Sequence, residues 1–351
     1  MYSLDDYDYE LPTELIAQLP AKRREDSRLL VLDRHGSRLE HRSFQDIYQF
    51  LSARDVLVIN DTRVVRGRLC GTKDSGGRVE LLILNPYIPP ELAHQEGYAC
   101  LVKASKKPQS GCRFTFADGF EAYLETPVIN GRAQVRFVGS TPLTEILERI
   151  GLVPLPPYIE RRGGESVADD LVSYQTVYAE RPGAIAAPTA GLHFSRELLQ
   201  GLRDQGVEVV PVTLHVGYGT FSPIREHDIR KHTMHPEYAE ISPQAASRLE
   251  RARMEGRRIV AVGTTVVRIL EWVAHRHGRL EPFRGLCNHY IYPGYEFRVV
   301  QAMITNFHLP KSSLLLLVSA FAGRNRILAA YREAIRHKYR FFSYGDATLI
   351  L

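Results

Sequence analysis

The sequence predicts an α/β main domain with an inserted small antiparallel β-barrel domain. From about residue 66 to residue 138, short runs of alternating apolar and polar residues follow one another without a helical segment between them. On both sides of this stretch, apolar strand-like runs and amphipathic helical segments occur instead, which is typical of an α/β layer. We therefore expect residues 1–65 and 140–351 to form one discontinuous catalytic domain and residues 66–139 to form the insertion.

The strands expected first along the chain are short and end at turn residues. The apolar run 55–59 predicts a buried strand that ends at Asn60-Asp61. Within the insertion, Asp118-Gly119 and Asn130-Gly131 are strong hairpin signals, because both residues of such a turn need a positive φ. The barrel strands are expected at residues 79–84, 98–102, 113–116, 121–124 and 133–138.

The helices after the insertion are bounded by capping residues. Serine, threonine and proline favour helix starts, whereas glycine favours helix ends. The predicted helices are bracketed by Thr141-Pro142 and Gly151, by Ser195 and Gly206, and by Ser242-Pro243 and Gly256, and two more cover residues 266–277 and 327–338. Strands are expected at 207–216 and 258–262, with a closing β segment near the C-terminus.

Composition excludes several classes of protein. The 44% hydrophobic and 24% charged residues are those of an ordinary globular chain. The four cysteines lie far apart without a CxxC pair, so we expect reduced thiols. The N-terminus is acidic, unlike a signal peptide, and the apolar run 314–321 is too short to span a bilayer. These features predict a cytoplasmic protein without a membrane partner, and we expect a monomer.

Clusters of basic residues permit an RNA partner. The net charge is only +5, but Lys and Arg residues are grouped along the chain, and such groups can release counterions from a phosphate backbone. A solvated surface is the alternative for each group. We expect Arg161/Arg162 or the cluster Arg251, Arg253, Arg257 and Arg258 to contribute to RNA binding.

Five segments are richer in Gly, Pro, Thr, His and aromatic residues than packing requires. The turn Gly263-Thr264-Thr265 lies between a predicted strand and a helix, where free N–H groups could bind a carboxylate or phosphate, although an ordinary turn remains possible. Gly217-Tyr218-Gly219-Thr220 follows a strand but lacks the third glycine of a nucleotide-binding fingerprint. The five segments are residues 60–63, 187–194, 213–221, 305–310 and 341–347.

The histidines leave two functions open. His193 and His215 adjoin glycine-containing turns, where they could act as general acids or bases or be buried structural residues. His227, His232 and His235 lie close together and raise the possibility of a zinc hydrolase. Their spacing does not give a helical i, i+4 pair and Pro236 interrupts any helix, so we expect no metal.

Motifs in a fixed order give the chain a resemblance to a known family. It resembles the S-adenosylmethionine:tRNA ribosyltransferase-isomerases of queuosine biosynthesis over nearly its whole length, and least in the barrel. Gln301 stands where that family usually has an acidic residue, and Cys287-Asn288-His289-Tyr290 also departs from its pattern. The matching segments are residues 7–12, 27–29, 60–63, 156–159, 174–179, 187–194, 213–221, 234–237, 261–265, 304–311 and 344–346.

The resemblance implies an unusual use of S-adenosylmethionine. Its ribosyl group would be transferred to 7-aminomethyl-7-deazaguanine at the wobble position of tRNA and isomerised to give epoxyqueuosine, with release of adenine and methionine. A base would remove a C5′ proton that the sulfonium acidifies, without a metal. A tRNA-binding relative that has lost turnover is the alternative.

We assign site residues on that basis. We expect His215, or else His193, to be the base, with Asp346 as its charge partner, because a histidine has a suitable pKa near neutrality. Gly263-Thr264-Thr265 should hold the methionyl carboxylate, and Phe221 or Tyr344 should stack on the adenine. The expected S-adenosylmethionine-binding residues are Gly217, Gly219, Thr220, Phe221, Gly263, Thr264, Thr265, Asn306, His308 and Tyr344.

Overall fold

The computed structural model describes residues 2–36, 38–84, 97–161, 170–221 and 224–351, except the side chains of Thr220 and Phe221. The strands are β1 (Arg28–Leu32), β2 (Leu39–Ser43), β3 (Asp55–Asn60), β4 (Thr62–Val64), β5 (Arg68–Lys73), β6 (Arg78–Ile83), β7 (Tyr98–Ala104), β8 (Arg113–Phe116), β9 (Glu121–Leu124), β10 (Arg132–Phe137), β11 (Arg181–Ala184), β12 (Glu208–Leu214), β13 (Glu237–Ile241), β14 (Arg258–Val262), β15 (Phe283–Cys287), β16 (Ala302–Asn306) and β17 (Ala347–Ile350). The helices are α1 (Leu143–Ile150), α2 (Asp170–Ser173), α3 (Arg196–Asp204), α4 (Pro243–Met254), α5 (Thr264–His277), α6 (Ser313–Ala322) and α7 (Arg324–Arg336).

The main sheet has nine strands in the order β15-β13-β12-β3-β14-β16-β17-β1-β2. Its centre, β12-β3-β14-β16, is parallel, and β3 is buried along its whole length. Alternate residues of β3 enter two cores: Val56 and Val58 pack in the core that contains α4 to α7, whereas Leu57 and Ile59 pack in the core that contains α3. The predicted α/β layer is therefore confirmed.

The predicted barrel is also confirmed. Strands β5 to β10 close in the order β10-β7-β6-β5-β8-β9, and every neighbouring pair is antiparallel. Asp118-Gly119 and Asn130-Gly131 adopt positive φ, as their hairpin turns require. Leu143 and Leu147 of α1 belong to the barrel core. The division of the chain into domains at residues 65/66 and 139/140 stays a prediction.

The chain enters and leaves the barrel at neighbouring points. Arg68 at the start of β5 bridges to Leu152, which follows α1. Gly151 is required there, because a Cβ at this position would lie 2.1 Å from the carbonyl oxygen of Arg66.

Helix boundaries follow most of the capping residues, but α5 and α7 begin two and three residues earlier than predicted, and the short helix α2 was not predicted. Ser195 and Ser242 cap α3 and α4 through side-chain hydrogen bonds, as expected. Helix α1 begins one residue late, with Pro142 itself as the N-cap, since proline there lacks an N–H but supplies an extended backbone. Helix α6 was not predicted, because its apolar face is too wide to give an amphipathic pattern.

Among the described residues, no single helix is long and apolar enough to cross a membrane. Helices α6 and α7 meet that test of length and composition only as a pair bent by 113°.

Candidate functional site

A cleft lies at the carboxyl ends of the parallel strands, where ligands bind in open α/β sheets. The turns after β12, β14 and β16 contribute to it, and so does the segment between β11 and α3. Its cavity volume is about 80 Å³. The lining residues are Tyr158, Tyr174, Ala186–Ala190, Val216, Gly263–Thr265, Thr305–Leu309, Ser312, Leu314, Phe342 and Ser343.

The first turn of α5 forms one wall of the cleft. Gly263 ends β14 with φ of 89°, a conformation that glycine adopts without strain, and is the N-cap of α5. Thr264 and Thr265 follow as the first helical residues, whose N–H groups have no partner within the helix. The Nδ2 of Asn60 donates to the Oγ1 of Thr265 at 3.2 Å and thereby ties the helix start to β3. This wall can accept an anionic group.

Asn306 forms a second wall, and His193 lies directly behind it in an adjoining pocket. The Nδ2 of Asn306 donates to the carbonyl oxygen of Phe342 at 3.0 Å and lies 3.2 Å from the Nε2 of His193. The Nδ1 of His193 lies 2.7 Å from the Oγ of Ser27, which donates to the carbonyl oxygen of Arg24. This network assigns the imidazole proton to Nδ1, so the basic Nε2 points toward the cleft residue Asn306. The Oδ1 of Asn306 is buried without a hydrogen-bond partner among the described residues.

Electrostatics keep His193 neutral. Burial lowers the pKa of His193 to about 4, an effect that the charge of Asp346 opposes and that Arg340 and Arg24 reinforce. The Asp346 carboxylate is itself held by the backbone N–H groups of Arg28 and Arg340, at 3.0 and 2.8 Å. Asp346, which we expected as the charge partner of the base, therefore raises the pKa of His193 against the larger effect of burial.

His308 lies in the cleft and His215 does not. The Nε2 of His308 is 3.0 Å from the Oγ1 of Thr305, and burial lowers its pKa to about 3. The ring of His215 stacks on Tyr238, and its Nδ1 lies 2.7 Å from the Oγ1 of Thr62. It packs so closely on Gly183 that a Cβ there would approach the ring to 2.5 Å. Burial lowers the pKa of His215 to about 4.

The other predicted binding residues divide into two groups. Gly263, Thr264, Thr265, Asn306 and His308 meet in the cleft. Gly217 and Gly219 do not line it: the N–H of Gly217 donates to the Oε1 of Glu237 at 2.7 Å, and Gly219 packs on His235. Tyr344 lines an adjoining pocket together with His193, and its hydroxyl donates to Asp170 at 3.3 Å. The side chains of Thr220 and Phe221 lie outside the described residues.

Sequence reasoning missed three polar residues of the cleft as individual site residues. Tyr158 and Ser343 lie on opposite segments, with their hydroxyl oxygens 2.7 Å apart, and Tyr174 packs beside Tyr344. Tyr158 is in segment 156–159, which resembles the family, and Ser343 is in segment 341–347, one of the five rich in Gly, Pro, Thr, His and aromatic residues. The sequence therefore marked both segments but did not assign a role to either residue. Phe342, between them in the fold, has φ of 69°, which is uncommon for a residue with a side chain.

The three histidines of the zinc alternative do not converge. His227 contacts Ser3 and Asp5, His232 packs on Tyr290, and His235 lies 3.3 Å from Arg132. Within the described ranges, the group of potential metal ligands close enough to share an ion is His41, Glu333 and His337 at the surface, and none of these lines the cleft. The structure therefore does not support the hydrolase alternative.

Known proteins are similar to this chain over nearly its full length. A family model described as "Queuosine biosynthesis protein" matches residues 4–350. The S-adenosylmethionine:tRNA ribosyltransferase-isomerases of Geotalea uraniireducens and Syntrophotalea carbinolica are 50% and 48% identical to the chain, each over 99% of both proteins. The chain belongs to the queuosine biosynthesis protein family. The crystal structure of S-adenosylmethionine tRNA ribosyltransferase from Thermotoga maritima is similar, with 34% identity, a TM-score of 0.56 and coverage of 99% of this chain and 100% of that one.

Two departures from the pattern of the queuosine biosynthesis family lie outside the cleft. Gln301 pairs with Ile259, accepting from its N–H at 2.6 Å through Oε1, at the amino ends of β14 and β16. Its role here is to extend the sheet. In the segment 287–290, the carbonyl oxygen of His289 accepts from the Nε of Arg268 at 3.0 Å. Neither residue lines the cleft.

Proposed function

We propose that this chain is an S-adenosylmethionine:tRNA ribosyltransferase-isomerase. It transfers the ribosyl group of S-adenosylmethionine to 7-aminomethyl-7-deazaguanine at the wobble position of tRNA and isomerises it, giving epoxyqueuosine-tRNA, adenine and methionine. Relatives with this name match at close to half identity over their full length. The observation that carries the proposal is that four of the five segments rich in Gly, Pro, Thr, His and aromatic residues line one cleft at the carboxyl edge of the sheet, and that Asn60 of the fifth bonds to the cleft residue Thr265.

The cleft offers a site for the methionyl end of S-adenosylmethionine. A carboxylate beside Thr264 and Thr265 would accept from free N–H groups and lie at the positive end of α5. Four aromatic rings line the same cleft, those of Tyr158, Tyr174, Phe307 and Phe342. We propose that they, rather than the expected Tyr344, surround the apolar parts of the substrate, because Tyr344 belongs to the adjoining pocket.

We propose His193 as the proton acceptor and retain His215 as the second candidate. Proton removal at C5′ needs a neutral imidazole with a free lone pair within reach of the substrate. The Nε2 of His193 contacts Asn306, which lines the cleft, and rotation of that amide would expose it. Asp346 favours the imidazolium that forms. His215 is also neutral but lies beside Tyr238, away from the cleft lining.

The experiment is hydrogen–deuterium exchange at C5′ together with adenine release, with precursor-bearing tRNA, in His193→Ala and His215→Ala. Loss of a general base typically lowers the rate by about a hundredfold or more. We expect that loss in His193→Ala, with S-adenosylmethionine binding retained. Wild-type protein that binds tRNA without releasing adenine would instead support the non-catalytic relative. Variants within tenfold of wild type would exclude the substituted residue as the base.

We also propose that the protein acts in the cytoplasm as a monomer and without a metal. Its tRNA substrate and scattered reduced cysteines fit that setting. Light scattering of the purified protein and its adenine release after chelation test these statements directly.

A further inference from the structure

We infer that the groove between the barrel and the main sheet is the surface on which the RNA phosphate backbone docks. This inference rests on the proposed function and adds the surface that binds the polynucleotide. The groove is larger than the cleft: its cavity volume is about 1090 Å³, against about 80 Å³ for the cleft. Its barrel wall comes from β5, β6, β7 and β10, and its other wall comes from residues 154–161 and from the segments that follow β12.

The lining of the groove is strongly basic. Six Lys or Arg side chains and two Glu side chains line it, together with two histidines. Arg68 pairs with Glu80, and Arg161 pairs with Asp170. The other four cations are exposed and form no ion pair with any residue in the described ranges: Lys103, Arg132, Arg225 and Lys231.

These four cations come from both walls. Lys103 and Arg132 are on β7 and β10 of the barrel, whereas Arg225 and Lys231 belong to the segment between β12 and β13. A groove with unneutralised cations on both sides attracts a polyanion and releases its counterions. Tyr218 also lines the groove, and an aromatic ring beside such cations is suited to stack on an unpaired base. A folded RNA loop fits this combination.

A thin wall separates the groove from the cleft. Along residues 157–159, Pro157 and Ile159 line the groove whereas Tyr158 lines the cleft. After β12, Val216 lines the cleft and Tyr218 lines the groove. Alternate residues of these two segments therefore face the groove and the cleft. The groove and the cleft are separated by a single layer of chain, so a base that leaves an RNA loop in the groove is close to the cleft.

The other basic surface that the sequence suggested is less suitable. Arg253, Arg257 and Arg258 are bound by Glu250, Glu208 and Asp55. These residues lie at the end of α4 and the start of β14, at the amino edge of the sheet, opposite the cleft. Arg162 lies outside the described residues.

The test compares two triple charge reversals in the full-length protein. The groove variant is Lys103→Glu/Arg132→Glu/Lys231→Glu. The control is Arg54→Glu/Arg203→Glu/Arg251→Glu, three exposed arginines near the amino edge that carry the same change of charge. The measurements are the Kd for precursor-bearing tRNA against salt, the Kd for S-adenosylmethionine, and KM and kcat for adenine release.

In the groove variant we expect the Kd for tRNA to rise at least tenfold. The slope of log affinity against log salt concentration should become smaller by about 2 to 3, since each lost phosphate contact removes about 0.7 to 0.9 from it. S-adenosylmethionine binding and kcat at saturating tRNA should stay within twofold, and the control should resemble the wild type. Equal loss in both variants, or no loss in the groove variant, would overturn the inference while leaving the proposed function intact.

The proposed function fails separately. A wild-type protein that releases no adenine with precursor-bearing tRNA would overturn it, whatever the two variants do. If the groove variant does not fold, the single variants Lys103→Glu and Lys231→Glu, each beside its Lys→Arg counterpart, give the same comparison. Rescue by arginine supports phosphate contact, and its absence contradicts it.

Discussion

Replacing His193 with glutamine should make the protein less sensitive to acid. In the unfolded chain a histidine has a pKa of about 6.5, whereas burial lowers the pKa of His193 to about 4 in the folded protein. Between these values the unfolded state binds the proton and the folded state does not, so stability falls as the pH falls. At pH 5, one such histidine lowers the free energy of unfolding by about 2 kcal/mol relative to pH 7.

The measurement is urea denaturation of wild type and His193→Gln at pH 7 and pH 5. Between pH 7 and pH 5, the free energy of unfolding of the variant should fall by about 2 kcal/mol less than that of the wild type. This difference does not depend on the stability of the variant at pH 7. His35→Gln, at an exposed position, controls for the loss of a surface histidine and should keep the wild-type difference. Equal losses in wild type and His193→Gln would refute the argument that the imidazole is neutral in the fold.

Three further predictions concern groups around the cleft. Glu237→Ala leaves the buried Arg268 without the carboxylate that pairs with it, and urea denaturation should show a free energy of unfolding lower by about 3–5 kcal/mol. The double variant Glu237→Leu/Arg268→Met should recover part of this lost stability. Thr264→Pro keeps the helix start but removes one N–H, so calorimetry should show S-adenosylmethionine binding about tenfold or more weaker. Thr264→Ala retains the N–H and is the control. Equal affinities of the two variants would contradict the carboxylate site. Gly345→Ala would place a Cβ 2.5 Å from the carbonyl oxygen of Arg340. This contact should destabilise the fold by about 1–3 kcal/mol, measured by thermal denaturation. An unchanged Tm would show that the segment around Gly345 relaxes to avoid the contact.

Local signals in the sequence were sufficient for the layer and the barrel but not for the order of strands. The hairpin turns at Asn130-Gly131 and Asp118-Gly119 have a conformation that few residues adopt, so the sequence shows them directly. The position of β17 between β1 and β16 depends on pairing between distant segments, for which no local pattern exists. Helix α6 was missed because burial on nearly all sides removes the polar face that marks a helix in a sequence.

The cleft was predicted better than the direction of its side chains. Residues at the ends of parallel strands must meet, so Gly263 could be placed from the strand-to-helix pattern, whereas Asn306 was assigned from the family resemblance because the strand before it was not predicted. Whether a side chain there points into the cleft depends on the twist of each turn. His215 turns toward Gly183 and Tyr238, whereas Val216, the next residue, faces the cleft. A difference of one residue at a strand end therefore decides whether a side chain faces the cleft.

The position of β17 inside the sheet, between β16 and β1, has a consequence for how the chain folds. Strand β1 pairs with β17 across a separation of about 318 residues, and β1 is buried at four of its five positions. During synthesis, β1 and β2 can form a hairpin, but the other side of β1 stays without a neighbour until residues 347–350 have been made. Long-range pairing of this kind is slow to form, and an unpaired strand edge invites association with other chains. We therefore expect the barrel, whose strands are neighbours in sequence, to fold during translation, and the main sheet to be completed only afterwards.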